Sequence, residues 1–197
     1  VSEPSNPWVN GVAGLFTHQF YTLLDQKLAK DGLLLQWLHT YELSDQLLAQ
    51  MLRAMLDVFQ HVDLYLANSD DFILVASQSP INPLTLPQSP ALAAELKRVG
   101  LSEIQDYTVR RVGGTKTLEV FCRLFSAASH SDYYPTVALN APRDRFEQKS
   151  SSLLQALAWN GIPVLDLLLE RQTPARSQQV TNAEFSIAVS RRNLAIA

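Results

Sequence analysis

The stretch that decides the fold is residues 32–77, GLLLQWLHTYELSDQLLAQMLRAMLDVFQHVDLYLANSDDFILVAS. Its apolar run at 33–38 directly follows a glycine, which is typical of a strand buried on both faces of a parallel sheet. Residues 44–59 carry apolar side chains spaced by three and four positions. This spacing predicts an amphipathic helix, with Ser44 as its N-cap.

Two later apolar runs, 62–67 and 72–76, predict two more strands. The turn between them, 68–70, is too short for a crossover, so these strands must run antiparallel. A strand, a helix and a strand in succession favour parallel strands joined by a crossover helix. We therefore predict an α/β fold in which a mostly parallel sheet ends in an antiparallel hairpin. This arrangement is typical of the second half of a methyltransferase-type Rossmann domain.

The elements that open a Rossmann domain are not evident in the sequence. No strand followed by a Gly-rich turn and a helix is found, and these elements hold the cofactor in such domains. We therefore expect the chain to be a C-terminal fragment, with residues 1–77 as the second half of the Rossmann-like domain. We expect no cofactor to bind to this fragment by itself.

Outside the sheet segment the pattern is mainly helical. An apolar face over 12–29 predicts one helix before the first strand. A Pro-rich linker at 78–90 is expected to lead into a helical region at 91–172. Within that region, 130–145 has no regular pattern and is expected to be irregular. The remaining residues, 173–197, are expected to form a polar tail.

Composition and charge exclude several classes of function. The chain has 197 residues, of which 47% are hydrophobic and 18% charged, and its net charge is −3. A nucleic-acid-binding protein would show a basic patch, and none is evident. No apolar run approaches the length of a membrane span, so we expect no membrane contact by this chain. The single cysteine fits a reducing compartment. We expect the cytoplasm, or the cytoplasmic face of a membrane if the protein has a membrane segment.

Metal and phosphate sites are not predicted. The four histidines show no metal-ligand spacing. Gly113 and Gly114 predict a turn rather than a phosphate-binding loop, because Thr115 replaces the glycine required before the lysine and no preceding strand is evident. Cys122 lies in an apolar helical stretch and is expected in the core rather than as a nucleophile.

Three places in the first part of the chain are candidates for ligand binding. Residues 2–8, SEPSNPW, should lie at the carboxyl edge of a sheet, where open α/β sheets bind ligands, or form a rigid Pro-rich turn. Gln36 is polar within an apolar strand and needs a partner, either a ligand or neighbouring backbone. His39 and Tyr41 follow that strand and line a pocket mouth or belong to the ordinary surface.

These residues resemble the spermidine synthase-like family of polyamine aminopropyltransferases, in particular the branch often fused to a membrane transporter-like segment. The resemblance is carried by SEPSNPW at 2–8, GVA at 11–13, LFT at 15–17, FY at 20–21, DGLLLQWLHTYE at 31–42, VFQHV at 58–62 and FILVAS at 72–77. It continues more loosely through SDYYP at 131–135 and NAPR at 140–143.

The resemblance implies transfer of an aminopropyl group from decarboxylated S-adenosylmethionine, the expected substrate of the intact parent, to a diamine. The amine must lose a proton to attack the carbon beside the sulfonium, and carboxylates suit this work. Residues 1–4 match the last four positions of the family's Asp-Ser-Ser-Asp-Pro turn, with Glu3 in place of the second Asp and Val1 in place of the first Ser. The resemblance places Glu3 and Gln36 in the site for this small polyamine substrate, and Tyr41 joins them as a candidate substrate-binding residue at the pocket mouth.

Two functions remain open at this point. In the first, the parent is a spermidine synthase-like transferase and this chain, inactive when isolated, supplies the amine-side wall of its site. In the second, the chain is a non-catalytic Rossmann-like binding or structural module of a larger protein, with or without a membrane anchor. An Asp before Val1 would favour the first. In both cases an exposed sheet edge and an apolar helix face predict a homo-oligomer.

Overall fold

The computed structural model describes residues 1–81 and 88–159. The strands in these ranges are β1 (Leu34–His39), β2 (His61–Leu66), β3 (Asp71–Ser77) and β4 (Arg111–Gly113). The helices there are a 3-10 helix (Val12–Phe16) and seven α-helices: α1 (His18–Asp25), α2 (Asp45–Leu56), α3 (Pro90–Arg98), α4 (Ile104–Thr108), α5 (Thr115–Leu124), α6 (Thr136–Phe146) and α7 (Ser152–Trp159).

The four strands form one sheet in the order β1-β3-β2-β4, and every neighbouring pair is antiparallel. β1 and β2 both run opposite to β3, so they point in the same direction, as a crossover through α2 requires. The α/β class and the antiparallel hairpin of β2 and β3 are confirmed. The predicted parallel pairing is not found among these strands, because the short turn folds β3 back between β1 and β2.

The start of the chain adds a short parallel contact to the free edge of β1. Ser2 pairs with Gln36 in a parallel bridge. The Ser2 amide donates to the Leu35 carbonyl at 2.7 Å, and the Trp37 amide donates to the Ser2 carbonyl at 3.0 Å. Because the two segments run in the same direction, the turn that follows Ser2 is carried to the carboxyl end of β1.

The core lies on one face of the sheet. The register places every second strand residue on this face, and all of these residues are buried: Leu34, Gln36, Leu38, Val62, Leu64, Leu66, Phe72, Leu74 and Ala76. α2 adds Leu47, Leu48, Met51, Leu52 and Met55 to the same cluster. Burial of each large aliphatic side chain is worth about 1.5–3 kcal/mol. This layer therefore fixes the position of α2 on the sheet.

The first turn of α2 is tied to α6. Ser44 is the N-cap residue, as predicted, but its hydroxyl makes no capping hydrogen bond. Instead, the Ser44 amide donates to Asp144 Oδ2 at 2.9 Å, and the Ser44 hydroxyl donates to the same oxygen. Lys149 Nζ lies 3.0 Å from the other oxygen of Asp144. The N-terminus of α2 is thus capped by the buried carboxylate of Asp144, which is distant in sequence, rather than by the side chain of Ser44.

Two predicted boundaries differ from the structure. The helix expected over 12–29 is divided, because Thr17 has extended backbone and caps α1 by accepting a hydrogen bond from the Phe20 amide. The segment 130–145, expected to be irregular, contains most of α6. Only Val137, Ala141 and Asp144 of α6 are buried, so its sequence carries little apolar periodicity.

The region 91–172, expected to be helical, contains β4. Only three residues long, β4 extends the sheet beside β2 and has no periodic pattern that would reveal it. β4 ends at Gly113, and Gly114 leads directly into α5, so a strand does run up to these glycines. A side chain at Gly113 would meet Thr117 at 2.7 Å, and the Val62 amide donates to Thr115 Oγ1 at 2.9 Å. These contacts give the turn a packing role.

Some sequence-based predictions lie outside the described residues. They are the central part of the Pro-rich linker (82–87), the helical region after 159 and the polar tail at 173–197. Before residue 160, the last described element of the predicted helical region is α7, which begins at Ser152.

The link between α2 and α6 gives a stability prediction. Replacing Asp144 with Ala removes the acceptor of the Ser44 amide and hydroxyl, and should cost about 1–3 kcal/mol in the free energy of unfolding. Urea denaturation measures this change. The matched control is Asp132→Ala, which removes an exposed carboxylate and should change stability by no more than about 0.5 kcal/mol. Equal losses in the two variants would contradict the long-range cap.

Candidate functional site

Four rings form an aromatic cluster at the carboxyl end of β1: Trp8, Trp37, His39 and Tyr41. The His39 ring stacks on Tyr41 at a centroid distance of 4.4 Å and meets Trp8 edge-on at 5.2 Å. The rings of Trp37 and His39 lie 5.0 Å apart. Trp8 comes from the Pro-rich turn, whereas the other three rings come from β1 and the residues just after it. The turn is therefore packed against the end of the strand.

His39 is the buried member of this cluster. Its side chain is 1% exposed, and burial lowers its pKa from 6.5 to about 4. Nε2 of His39 has no hydrogen-bond partner among the residues that the structure describes. The ring is therefore neutral near pH 7, and it is buried inside the cluster rather than exposed to solvent.

Tyr41 lies at the outer side of the cluster and is half-buried. Its hydroxyl donates to Asn6 Oδ1 over 3.5 Å, a long contact. Burial raises the pKa of Tyr41, and the negative charges of Asp71, Glu42 and Asp70 raise it further. The phenol therefore remains a neutral hydrogen-bond donor in an acidic neighbourhood, which favours cations.

An open cleft of about 320 Å³ adjoins the aromatic cluster. It is lined by Trp8, Glu42, Pro142, Arg145 and Phe146. The Arg145 guanidinium lies 5.3 Å from the centroid of the Trp8 ring, and Arg145 Nε lies 3.5 Å from Glu42 Oε2. An aromatic face and a carboxylate thus both contact a cation here. We call this group the Trp8–Glu42 cleft.

The predicted site residues contact different neighbours. Glu3 is exposed and directly follows Ser2, the residue that pairs with Gln36. Gln36 is fully buried on the core face, where its amide nitrogen donates to the Leu15 carbonyl at 3.1 Å. This contact matches the interpretation of Gln36 as an amide bonded to neighbouring backbone. Tyr41 belongs to the aromatic cluster.

Gln36 also contacts the buried hydroxyl of Tyr21. Burial raises the pKa of Tyr21, and the hydrogen bond with Gln36 offsets part of that rise. Gln36 Oε1 has no partner among the residues described. The amide therefore has one unused acceptor, which faces a buried environment rather than the Trp8–Glu42 cleft.

The residues that form the cleft are not predicted from the sequence. Trp8 was singled out only as part of the Pro-rich motif, and Arg145 and Phe146 lie at the end of a segment whose helix was not predicted. Glu42 has a positive φ of 55°, which is uncommon for a residue other than glycine. No local signal indicates that these side chains meet, because α6 reaches the site through tertiary packing.

Other site types are not found in the part of the chain that the structure describes. No group of three or more His, Cys, Asp or Glu residues there could hold a metal ion. No helix within 1–81 and 88–159 is long and apolar enough to cross a bilayer. Cys122 is buried, as predicted, and burial raises its pKa to about 12. A thiol with this pKa is a poor nucleophile at neutral pH.

Comparison with known proteins finds no match for this chain. No family model, no curated protein and no solved structure matches the chain. The resemblance to the spermidine synthase-like family therefore rests on the sequence motifs alone. The function must be argued from the geometry at the end of β1.

The lowered pKa of His39 predicts a dependence of stability on pH. The unfolded state binds more protons than the folded state between about pH 4 and pH 6.5, so the free energy of unfolding falls as the pH is lowered through this window. The loss due to His39 should be on the order of 1–3 kcal/mol at pH 4. Urea denaturation at several pH values measures the slope.

A variant of His39 tests the origin of this slope. His39→Gln should reduce the slope. His130 is also buried with a lowered pKa, so part of the slope should persist in His39→Gln. An unchanged slope in His39→Gln would show that the ring is protonated in the folded state at its ordinary pKa.

Proposed function

We propose that the chain supplies the amine-side wall of a spermidine synthase-like aminopropyltransferase, and that this wall binds an aliphatic diamine. The observation that carries the proposal is the cation held between an aromatic ring and a carboxylate at the carboxyl end of β1. Aromatic faces attract ammonium groups, and carboxylates pair with them. Both groups lie beside Tyr41, which is predicted from the sequence to line the mouth of the pocket.

The assignment of the sheet to a particular fold is also part of the proposal, and the strand topology supports it. We assign the sheet to the second half of a methyltransferase-type Rossmann domain. The parallel bridge at Ser2, α1 and β1 form a strand-helix-strand succession, and α2 then leads to β2 in the same direction. The antiparallel β3 completes the hairpin at the end of such a domain. In open α/β sheets the carboxyl ends of the strands bind the ligand.

In the proposed reaction an amine nitrogen attacks the carbon beside the sulfonium of decarboxylated S-adenosylmethionine. A new C–N bond forms, the C–S bond breaks and the sulfur leaves as a neutral thioether. The attacking amine loses one proton to a carboxylate base of the intact site, and the other ammonium of the diamine stays charged. Glu3 is exposed and directly follows Ser2, the residue that pairs with Gln36, and it would hold that second ammonium. The aromatic faces would orient the chain between the two nitrogens.

We assign the cofactor-binding half of the site to another segment of the parent protein. In Rossmann-type domains the nucleoside rests on the first strand, its Gly-rich turn and the start of the next helix. The turn between β4 and α5 does not offer this cradle, because Thr117 fills the space beside Gly113. A transferase gains roughly 7–11 kcal/mol at most by positioning both reactants. The chain by itself is therefore proposed to be inactive.

The second candidate is a non-catalytic module of a larger protein. It is favoured by the contact of Gln36 with the Leu15 carbonyl, which gives this residue a structural partner. In this case the fold persists without an amine site. The two candidates differ in one measurable property, the binding of a diamine.

Calorimetry with 1,4-diaminobutane tests the proposal. The chain should bind the diamine, and Glu3→Gln should weaken binding about two- to fivefold, the range for an exposed ion pair. The control Glu95→Gln removes an exposed carboxylate from α3 and should leave the affinity unchanged. Equal affinities in wild type and Glu3→Gln would remove Glu3 from the amine site. The absence of any diamine binding would favour the non-catalytic module.

The same experiment with decarboxylated S-adenosylmethionine tests the assignment of the cofactor half. We expect no tight binding of this molecule or of its thioether product to the chain. Micromolar binding of either one would show that the cofactor site lies within residues 1–197. It would also contradict the proposed division of the site.

A further inference from the structure

The Trp8–Glu42 cleft is occupied by a cation of the chain itself. Arg145, near the end of α6, places its guanidinium 5.3 Å from the centroid of the Trp8 ring. The same side chain pairs with Glu42 at 3.5 Å, and all three residues line the cleft. A π face and a carboxylate that converge on one guanidinium form a recognition site for a positive charge.

The internal cation is held loosely. The Arg145 side chain is 56% exposed and that of Glu42 is 35% exposed. The distance from Nε to Oε2 is at the long end for an ion pair, and both contacts lie at the surface, where such interactions are weak. An external cation that offers the same chemistry can therefore replace Arg145 at small cost.

The rest of the lining specifies the kind of cation. Pro142 and Phe146 add apolar surface beside the Trp8 ring, and Phe146 is 90% exposed. A ligand that places its charge between Trp8 and Glu42 would lay an aliphatic chain on these two side chains. The volume of about 320 Å³ is at the small end of ligand pockets. A primary ammonium on a short alkyl chain meets these requirements.

We propose that the Trp8–Glu42 cleft binds a primary alkylammonium and that Arg145 is its built-in competitor, which must leave the Trp8 ring when the ligand binds. The competitor lowers the affinity of the cleft, so only a sufficient concentration of the amine displaces it. The choice of an alkylammonium rests on the proposed amine-binding function. The competition between Arg145 and an external cation depends only on the contacts in the cleft.

Calorimetric titration with n-butylammonium tests the competition, because a monocation needs the cleft and not Glu3. Arg145→Met keeps an apolar side chain of similar length and removes the guanidinium. It should tighten binding roughly three- to tenfold relative to the wild-type chain. Arg145→Met combined with Glu42→Gln should lose this gain, because the carboxylate that receives the ammonium is absent.

The matched control is Arg143→Met. Arg143 is an exposed arginine of the same helix that pairs with Glu147 and does not line the cleft. Its removal changes the net charge by the same amount and should not alter the affinity. An equal gain in Arg143→Met and Arg145→Met would show a general charge effect and overturn the proposal. Unchanged or weaker binding in Arg145→Met would overturn it as well.

Butan-1-ol separates charge recognition from apolar binding. This neutral probe has the same chain as n-butylammonium and should bind no more tightly to Arg145→Met than to the wild type. A gain for both probes would show that removal of Arg145 only opens apolar surface, against the proposal. If n-butylammonium shows the expected gain while Glu3→Gln leaves diamine affinity unchanged, the amine wall around Glu3 fails and the competition stands.

Discussion

The pairing of β3 on both of its edges is the constraint on which the rest of the structure depends. β3 satisfies the inner edges of β1 and β2, and the three strands together present one continuous buried face. A strand edge buried without partners would be costly, because each unpaired backbone group loses its hydrogen bonds to water. With β3 in the middle, α2 has a single apolar surface on which to pack. The carboxyl end of β1 is then held in place.

Much of this sheet follows from the sequence. Apolar runs and the spacing within 44–59 were enough to predict β1, α2, β2 and β3, and the length of the turn required the hairpin to be antiparallel. The insertion of β3 between β1 and β2 was not predicted, because strand order is a tertiary property that local patterns do not encode. β4 and α6 were missed for a related reason. β4 is too short to show a periodic apolar pattern, and α6 buries only a few side chains.

At the candidate site, too, local features were predictable from the sequence, whereas contacts made by tertiary packing were not. The Pro-rich turn and Tyr41 were found because they surround a predicted strand end. The meeting of Trp8, Glu42 and Arg145 joins three parts of the chain that are far apart in sequence, and only the packing of α6 brings them together. Gln36, singled out as a polar residue in an apolar strand, does have the structural partner that such a residue requires. The amide of this residue is therefore explained by the packing of the core.

The central claim is that the end of β1 recognises an amine, and the most direct test is the ¹H–¹⁵N spectrum of the chain during titration with 1,4-diaminobutane. We expect saturable shifts of the Trp8 indole and of the Tyr41 and Glu42 amides. Shifts confined to the acidic turn at Asp70 and Asp71, or shifts that grow linearly without saturation, would contradict it. Such a result would show that the diamine meets only general negative charge on the surface.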